Sequence, residues 1–494
     1  MSYVDAFHDT NRDCIELVER VNGERDYKTY PARYVLYYPD NKGKYKSIFG
    51  SPLTRVTHTS GKVFHKDKKI YGHKRLFESD IKPVFRCLSE NYLGKQAPEL
   101  HICFLDIEVD FDPTKGFSPV TDPFSPITAI TVYLQWIDSL ITLALVPPTL
   151  TMKDATEMVD EFENTWLYNS EEEMLKTFLD IVDDADVLSG WNSEGYDIPY
   201  VVNRITSILS KSHTRKLCLW DQLPKPRSFI KYGKDQETYD LIGRLHLDYL
   251  ELYRKYTYHE MHSYSLDAIG EYELGERKIA YDGSIDQLYR YDFKTFIEYN
   301  RQDTMLLAKI DNKNKFIDLA TVIAHANTVL LPTTMGAVAV TDQAIVNEAK
   351  TYGPFDKVVY YEKPLLKKTR QFYAGQYSDS LSYTEMPQYH VSKFGIKIDE
   401  YILHHDSHAA AGYFTSPFKE AVILTVDAIG EWDTASISVA KGNKIERKET
   451  IKYPHSLGIL YSAFTKKCGL KPAEEEYILM GMAAYGQDIY KDDI

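Results

Sequence analysis

The stretch Phe104-Leu105-Asp106-Ile107-Glu108-Val109 is a strand by composition, apolar on both sides, yet it carries two acids. Alternate residues of a strand share one face, so Asp106 and Glu108 point the same way, about 6–7 Å apart along the chain. Two like charges on an otherwise apolar strand are costly unless something positive stands between them, and a divalent cation is the usual answer. Taken alone, the pair also reads as one solvated edge carboxylate and one partner of an arginine. The rest of the chain decides between these readings.

A chain of 494 residues has room for several cores, and length alone suggests roughly three domains. Apolar content of 44% and charged content of 26% are those of a globular protein that works in water. A net charge of −14 argues against indiscriminate coating of nucleic acid but leaves room for a local basic groove. The five cysteines (Cys14, Cys87, Cys103, Cys218, Cys468) form no Cys-x-x-Cys, so neither a disulfide framework nor a zinc ribbon is expected, and a reducing cytoplasm fits. The polar, acidic start from Met1 to Cys14 does not read as a signal peptide. The apolar run from Phe316 to Leu331 is interrupted by Asp318, His325 and Asn327, so no membrane span is expected.

Residues 1–98 mix short apolar runs with charged turns, among them a strand at Tyr34 to Tyr38 and a Lys- and His-rich stretch, Lys62 to Arg75, that reads as solvated surface or as a phosphate-contacting patch. After the strand ending at Val109, strands are expected at Ile127 to Leu134 and Leu140 to Val146. An amphipathic helix over Glu171 to Ala185 and a short strand, Val187 to Asn192, follow. Three antiparallel strands, a helix and a parallel strand make an α/β sheet whose polar ends can carry a site. Beyond it, Pro224 to Tyr239 reads as a basic hairpin, Leu245 to Tyr256 as strand then helix, and Phe293 to Asn327 as helical. The character changes near Tyr352-Gly353-Pro354. The expected organisation is residues 1–98 as a small α+β domain, 99–350 as an α/β domain, and 351–494 as a third region.

Two further features join the acidic strand. Asp197 stands where a strand and a Gly-containing loop, Gly190 to Gly195, run into a helix; alone it also reads as an N-cap. Tyr299 and Asp303 lie at i and i+4, on one helical face. Asp-x-Glu, then Asn-x-x-x-Tyr-Asp, then Tyr-x-x-x-Asp, in this order, resemble the three exonuclease motifs of family B DNA polymerases, and those of T-even-like phages most of all. The resemblance runs over roughly residues 30 to 348, through Gly190 to Arg204, Leu247-Asp248-Tyr249-Leu250-Glu251-Leu252-Tyr253 and Tyr281-Asp282-Gly283. It implies an RNase H-like domain, a mixed sheet with flanking helices, that hydrolyses DNA from the 3′ end with two Mg²⁺ or Mn²⁺ ions. It further implies that Asp106, Glu108, Asp197 and Asp303 hold the metals, that Tyr299 orients the attacking water, and that Asn192 touches the strand end. Phe124 or Tyr196 could stack on the terminal bases. The palm motifs that follow in these polymerases, Ser-Leu-Tyr-Pro-Ser and Asp-Thr-Asp-Ser, are not in the sequence, so no polymerisation is expected.

From about Phe355 the likeness changes. Tyr361-Glu362-Lys363-Pro364-Leu365-Leu366-Lys367, His404-His405-Asp406-Ser407-His408-Ala409, Val426-Asp427-Ala428-Ile429-Gly430-Glu431-Trp432, Pro454-His455-Ser456-Leu457-Gly458 and the run Tyr477 to Gly486 resemble O-carbamoyltransferases of nodulation and antibiotic tailoring, in their actin-like ATP-using domain. His404 and His408, at i and i+4, present two imidazoles on one face. The resemblance makes His404, His408 and Asp427 ligands of an Fe²⁺ or similar ion that holds the phosphates of ATP. Ala428 stands where the family has Gly, the family's first β-hairpin has no counterpart, and a domain for carbamoyl phosphate is not in the sequence. No transferase activity is therefore expected, and half of a split fold leaves an apolar face exposed.

The leading expectation is a metal-dependent 3′→5′ exonuclease acting on a single-stranded 3′ end or a primer-template. The alternatives are a carbamoyltransferase subunit completed by another chain, and a non-catalytic DNA-binding module docked on a separate polymerase subunit or a sliding clamp. Both families occur in large phage genomes, so the cytoplasm of an infected host is the expected location.

Overall fold

A computed structural model describes residues 2–231, 234–257, 261–392, 396–472, 474–483 and 486. The chain divides into two compact units, Met1–Tyr45 with Pro52–Thr351, and Lys46–Ser51 with Tyr352–Ile494. Within the last expected motif, Ala484 and Tyr485 lie outside the described residues.

The first unit is built on a six-stranded mixed sheet. Its strands are Ile102–Val109, Ile127–Leu134, Ser139–Leu145, Thr165–Tyr168, Val187–Gly190 and Leu245–Asp248. In spatial order they run from Thr165–Tyr168 through Ser139–Leu145, Ile127–Leu134, Ile102–Val109 and Val187–Gly190 to Leu245–Asp248. The first three strands of the chain order pair antiparallel, and the remaining three add parallel. Two of these, Thr165–Tyr168 and Leu245–Asp248, extend the four-stranded core read from the sequence into a six-stranded mixed sheet.

Pleat parity sorts the acidic strand onto two faces. Cys103, Leu105 and Ile107 pack with Met174, Leu175, Phe178 and Leu179 of helix Glu171–Ile181, and with Ile198, Val201, Val202 and Ile205 of helix Asp197–Ile208. Phe104 faces the other way, into a core with Leu306, Leu307 and Ile310 of the 22-residue helix Phe293–Asn314. Asp106 and Glu108 share that second face. Ala129 and Ala144, opposite each other on neighbouring strands and both fully buried, leave space there for Phe293, Phe296 and Ile297 of the same helix. The helix buries residues 293, 296, 297, 300, 303, 304, 306, 307, 308, 310 and 311, a stripe at helical spacing that widens toward its end. Lys315, at φ +56, ends it, and a separate helix, Phe316–Asn327, follows.

Residues 1–45 and 52–98 fall in the same compact unit as the sheet. The three-stranded antiparallel meander Ser2–Asp9, Cys14–Val21, Glu24–Pro31 is tied to it by buried polar contacts. Asp186 accepts from Arg20 Nε at 2.8 Å and Nη2 at 2.5 Å, from Arg25 Nε at 3.3 Å, and from the His101 amide at 3.0 Å. Tyr3 donates its hydroxyl to Val329 O at 2.7 Å and stacks on His325 at 4.3 Å. The Lys62 to Arg75 stretch forms helix Gly61–Ile70, with only Phe64 buried. The expected hairpin is strands Lys225–Lys231 and Lys234–Asp240; residues 232 and 233 lie outside the described residues.

The second unit holds an antiparallel sheet, Glu420–Val426, Asp433–Lys441 and Lys444–Lys452, with helix His404–Phe414 against one face. Val422, Leu424, Val426, Ile437, Val439 and Ile451 remain exposed, Val422 at 74%. In register Val422 opposes Val439 and Leu424 opposes Ile437, so these side chains share one face. The exposed apolar face expected from the sequence is thus one side of this sheet. All five cysteines are free thiols. No helix among the described residues is long and apolar enough to cross a membrane.

The side chains of Arg20 and Asp186 are 2% and 1% exposed. Asp186→Ala would leave the buried Arg20 guanidinium with the half-exposed Asp184 as its remaining carboxylate partner, and a loss of about 3 kcal/mol, the lower end for breaking one side of a buried pair, is expected. Urea unfolding of the wild-type and variant chains measures it.

Candidate metal-dependent nuclease site

Three carboxylates converge between the sheet and the long helix. Asp106, Glu108 and Asp303 each offer an oxygen within 4.8 Å of the others. Asp106 and Glu108 arrive by strand alternation, and Asp303 from a full turn beyond Tyr299 on helix Phe293–Asn314. Asp197 is the first residue of helix Asp197–Ile208, with Tyr196 at the N-cap, and it is buried. It stands outside the tight group of three, yet its charge acts on both Asp106 and Glu108.

Burial and the neighbouring carboxylates of Glu108, Asp303 and Asp197 hold Asp106 well above the usual carboxylate range. Burial, with the Asp303 charge, pushes Glu108 up to about 8. Burial first, then Asp248, pushes Asp197 up to about 7. Burial also raises Asp303, against the pull of Lys278. This is the signature of acids crowded in a poorly screened space, each favouring its proton because the others are charged.

Lys278 enters the cluster from the loop after helix Leu266–Leu274. Its ammonium donates to Asp303 Oδ2 and, at 3.1 Å, to the Tyr299 hydroxyl. Its own amide is pinned to Asp267 Oδ1 at 2.9 Å. Although burial works against the charge, Asp303, Tyr299 and Asp106 keep it protonated. Asp303 Oδ1, by contrast, is buried with no hydrogen-bond partner. Four acids, one of them with an unpartnered carboxylate oxygen, are a donor set suited to hard divalent cations, while the Lys278 ammonium offsets part of their charge.

Asn192 has left-handed backbone (φ +60), and its amide donates to Asp248 Oδ1 at 3.0 Å. The same carboxylate takes the Glu194 amide at 3.2 Å and the Leu250 amide at 3.0 Å, so Asp248 fixes the loop that leads to Asp197. Of the two aromatics considered for base stacking, Tyr196 lies against Tyr200 at 5.3 Å and Phe124 lies under the Lys115 ammonium at 4.9 Å. Tyr281 meets Tyr299 edge-on at 5.2 Å.

Sequence reasoning missed Lys278 and Asn300. Glu276-Arg277-Lys278 has the look of a solvated charged turn, and no periodicity marks it. Asn300 did leave a signal, a polar residue in the middle of a buried helical stripe. Its Nδ2 donates to Asp106 Oδ2 at 2.7 Å.

In the second unit, His404 Nε2 lies 2.7 Å from Asp427 Oδ2 and 3.0 Å from His408 Nε2, and His408 Nε2 lies 3.4 Å from Asp427. These three also form a group fit to hold a metal ion. His405, between them in sequence, is buried and spends both ring nitrogens on Thr425 Oγ1 and Asp433 O. Glu431 accepts the Lys363 and His404 amides, which anchors the start of helix His404–Phe414. Gly458 is a glycine because a Cβ there would stand 2.6 Å from the Ala428 backbone. Ser456 adds a hydrogen bond to Ala428 O at 2.6 Å and caps helix Leu457–Lys467.

Comparison with known proteins gives two matches. Residues 68–269 match the family model described as DNA polymerase family B, exonuclease domain, and residues 281–493 match that described as carbamoyltransferase N-terminus. The second match begins ahead of the division at Thr351 and overlaps helix Phe293–Asn314, which packs in the first unit. A DNA-directed DNA polymerase of Escherichia phage RB69 is 28% identical over 335 residues, 62% of this chain and 36% of the relative. An uncharacterised protein of Synechocystis is 51% identical over 89 residues, 18% of this chain and 14% of its own length. Nodulation protein NolNO of Sinorhizobium fredii is 33% identical over 98 residues, 19% of this chain and 14% of the relative. The chain thus spans about a third of the length of the phage polymerase and about a seventh of the other two. It carries a family B DNA polymerase exonuclease domain followed by a carbamoyltransferase N-terminal region.

Proposed function

We propose that the first unit is a 3′→5′ exodeoxyribonuclease that removes nucleotides from a single-stranded DNA end or a frayed primer-template. The convergence of Asp106, Glu108 and Asp303 carries this reading. Two divalent ions, Mg²⁺ or Mn²⁺, would supply the activated water and relieve charge on the leaving 3′ oxygen. Asp106, Glu108, Asp197 and Asp303 would hold them. The unpartnered Asp303 Oδ1 suits such a ligand. The Tyr299 hydroxyl, which accepts from Lys278, would orient a water by hydrogen bond. Lys278 offsets part of the acidic charge and keeps Asp303 turned into the site. Asn192 is assigned to the strand end on its motif position. A polymerase subunit or sliding clamp would present the DNA, in the cytoplasm of a phage-infected host.

The second unit supports a separate reading. The trio His404, His408 and Asp427 is already assembled, and we assign it to an Fe²⁺ or similar ion beside ATP phosphates. A chain completing the carbamoyltransferase would be needed for transfer.

Purified chain given a 5′-labelled single-stranded oligonucleotide and Mg²⁺ is expected to yield a ladder shortening from the 3′ end, abolished by chelator and by Asp106→Ala with Glu108→Ala. Digestion unchanged in that double variant, or no ladder from folded protein, overturns the assignment. Tyr299→Phe, which removes only the orienting hydroxyl, should lower the rate about a hundredfold.

The raised carboxyls also set a pH dependence. Glu108 rises from 4.5 to about 8 and Asp197 from 3.8 to about 7, so ionising them costs the folded state stability. That cost is absent below the ordinary carboxyl range, grows between pH of about 4 and 8, and is complete above. Metal-free chain should therefore lose thermal stability over this window, and Mg²⁺ should raise the Tm of the first unit more at pH 8 than at pH 6. Differential scanning calorimetry at both values, with Glu108→Gln as the variant that blunts the difference, checks the sign. For the second unit, His404→Ala with His408→Ala should abolish iron retained after purification, read by elemental analysis.

A further inference from the structure

The polar residues behind Asp106 form a single row across the sheet. Asp106 is paired in register with Thr131, Thr131 with Thr142, and Thr142 with Thr165. One residue in each of four neighbouring strands thus lies on a line perpendicular to them, and the line passes under Asn300 and Arg301 of the long helix. Thr131, Thr142 and Asn300 are fully buried. Threonine in such a core position is unexpected unless its hydroxyl is used.

The partners fix the direction of every bond in the row. Once ionised, as a metal ligand must be, Asp106 only accepts at Oδ2, so the Asn300 atom 2.7 Å from it is the donor Nδ2. Asn300 Oδ1 then faces Thr131 Oγ1 at 2.5 Å, which must donate to it. With its one proton committed, Thr131 accepts from Thr142 at 3.0 Å. Thr142, committed in turn, accepts from Arg301 Nη1 at 3.1 Å, and a guanidinium has only donors to offer. Arg301 also reaches Thr165 Oγ1 at 3.3 Å. The row thus starts at a cation and ends at a carboxylate, each donor pointing toward Asp106. Bonds aligned this way polarise one another.

We propose that Arg301, Thr142, Thr131 and Asn300 are positioning residues that act on metal binding through Asp106. Asn300 engages Oδ2, the residues behind it hold that amide in one orientation, and the carboxylate so fixed keeps Oδ1 for the metal. None of them touches substrate. The proposal rests on the exonuclease reading, because it supposes that Asp106 is a metal ligand. It adds that the ligand's orientation is set across three intervening residues, by a chain beginning at Arg301.

Thr131→Val is the sharpest probe, because it keeps the shape and removes the hydroxyl. Asn300 then loses the donor that fixes its amide. Direct Mn²⁺ binding, read from free Mn²⁺ by electron paramagnetic resonance, needs no nuclease activity. The full chain with His404→Ala and His408→Ala serves as parent, which removes the second cluster from the signal. Thr131→Val is expected to raise the Mn²⁺ Kd about tenfold, the lower end of what losing a ligand's supporting partner costs. Thr142→Val should weaken binding in the same direction, and Thr131→Ser should restore it. If Thr131→Val disturbs the fold by circular dichroism, Thr142→Val, a link further back, decides. Valine variants that are folded and bind Mn²⁺ as the parent does would overturn the relay and leave the exonuclease reading standing. A parent that binds no Mn²⁺ would overturn both.

Discussion

Mutual repulsion of acids in a half-buried space that water screens poorly is the constraint on which the first unit depends. Asp106, Glu108 and Asp303 bring oxygens within 4.8 Å of one another, with the Asp197 charge acting from nearby. In bulk water such charges would interact weakly, but between a sheet and a helix the effective dielectric is several times lower. The fold creates that condition because both faces of the sheet are covered, one by helices Glu171–Ile181 and Asp197–Ile208, the other by helix Phe293–Asn314. Lys278 offsets only part of the charge. The remainder must be met by protons or by metal ions, and this competition makes the site a cation receptor as well as a structural liability.

Much of this was legible because regular elements fix side-chain direction. Asp106 and Glu108 share a face by strand alternation, and Tyr299 and Asp303 by helical spacing, so sequence separation alone placed them. Lys278 obeys no period, since it comes from a loop after Gly275 and is held by an amide bond to Asp267. The meander of residues 2–31 was hidden for a different reason. Strand Cys14–Val21 buries Glu16, Glu19 and Arg20 alongside Ile15, Leu17 and Val18. Its polar residues are paired, Glu19 with the Tyr92 hydroxyl and Arg20 with Asp186, and pairing across long sequence distances leaves no trace in local hydropathy.

The second unit separates histidines by role in a way that spacing half anticipates. His404 and His408 share a helical face and meet Asp427, while His405 turns inward and is consumed by Thr425 and Asp433. The glycine of Ser456-Leu457-Gly458 has a steric cause, the approach of the helix start to Ala428. The exposed sheet face of Val422, Leu424 and Ile437 follows from alternation in strands that pack their other face against helix His404–Phe414.

The threonine row gives strand register a chemical meaning. Side chains in a strand alternate, so a slip of one residue in Ile127–Leu134 would bring Ile130 or Val132 under Asn300 and send Thr131 to the opposite core. The core would still be apolar and the sheet still paired, but Asp106 would lose its support. Length changes in this unit are therefore not equivalent. A residue inserted at the Asp138–Ser139 turn leaves parity intact on both sides, whereas one inserted within the strand inverts it. Fidelity of pairing is, in this fold, part of the nuclease site.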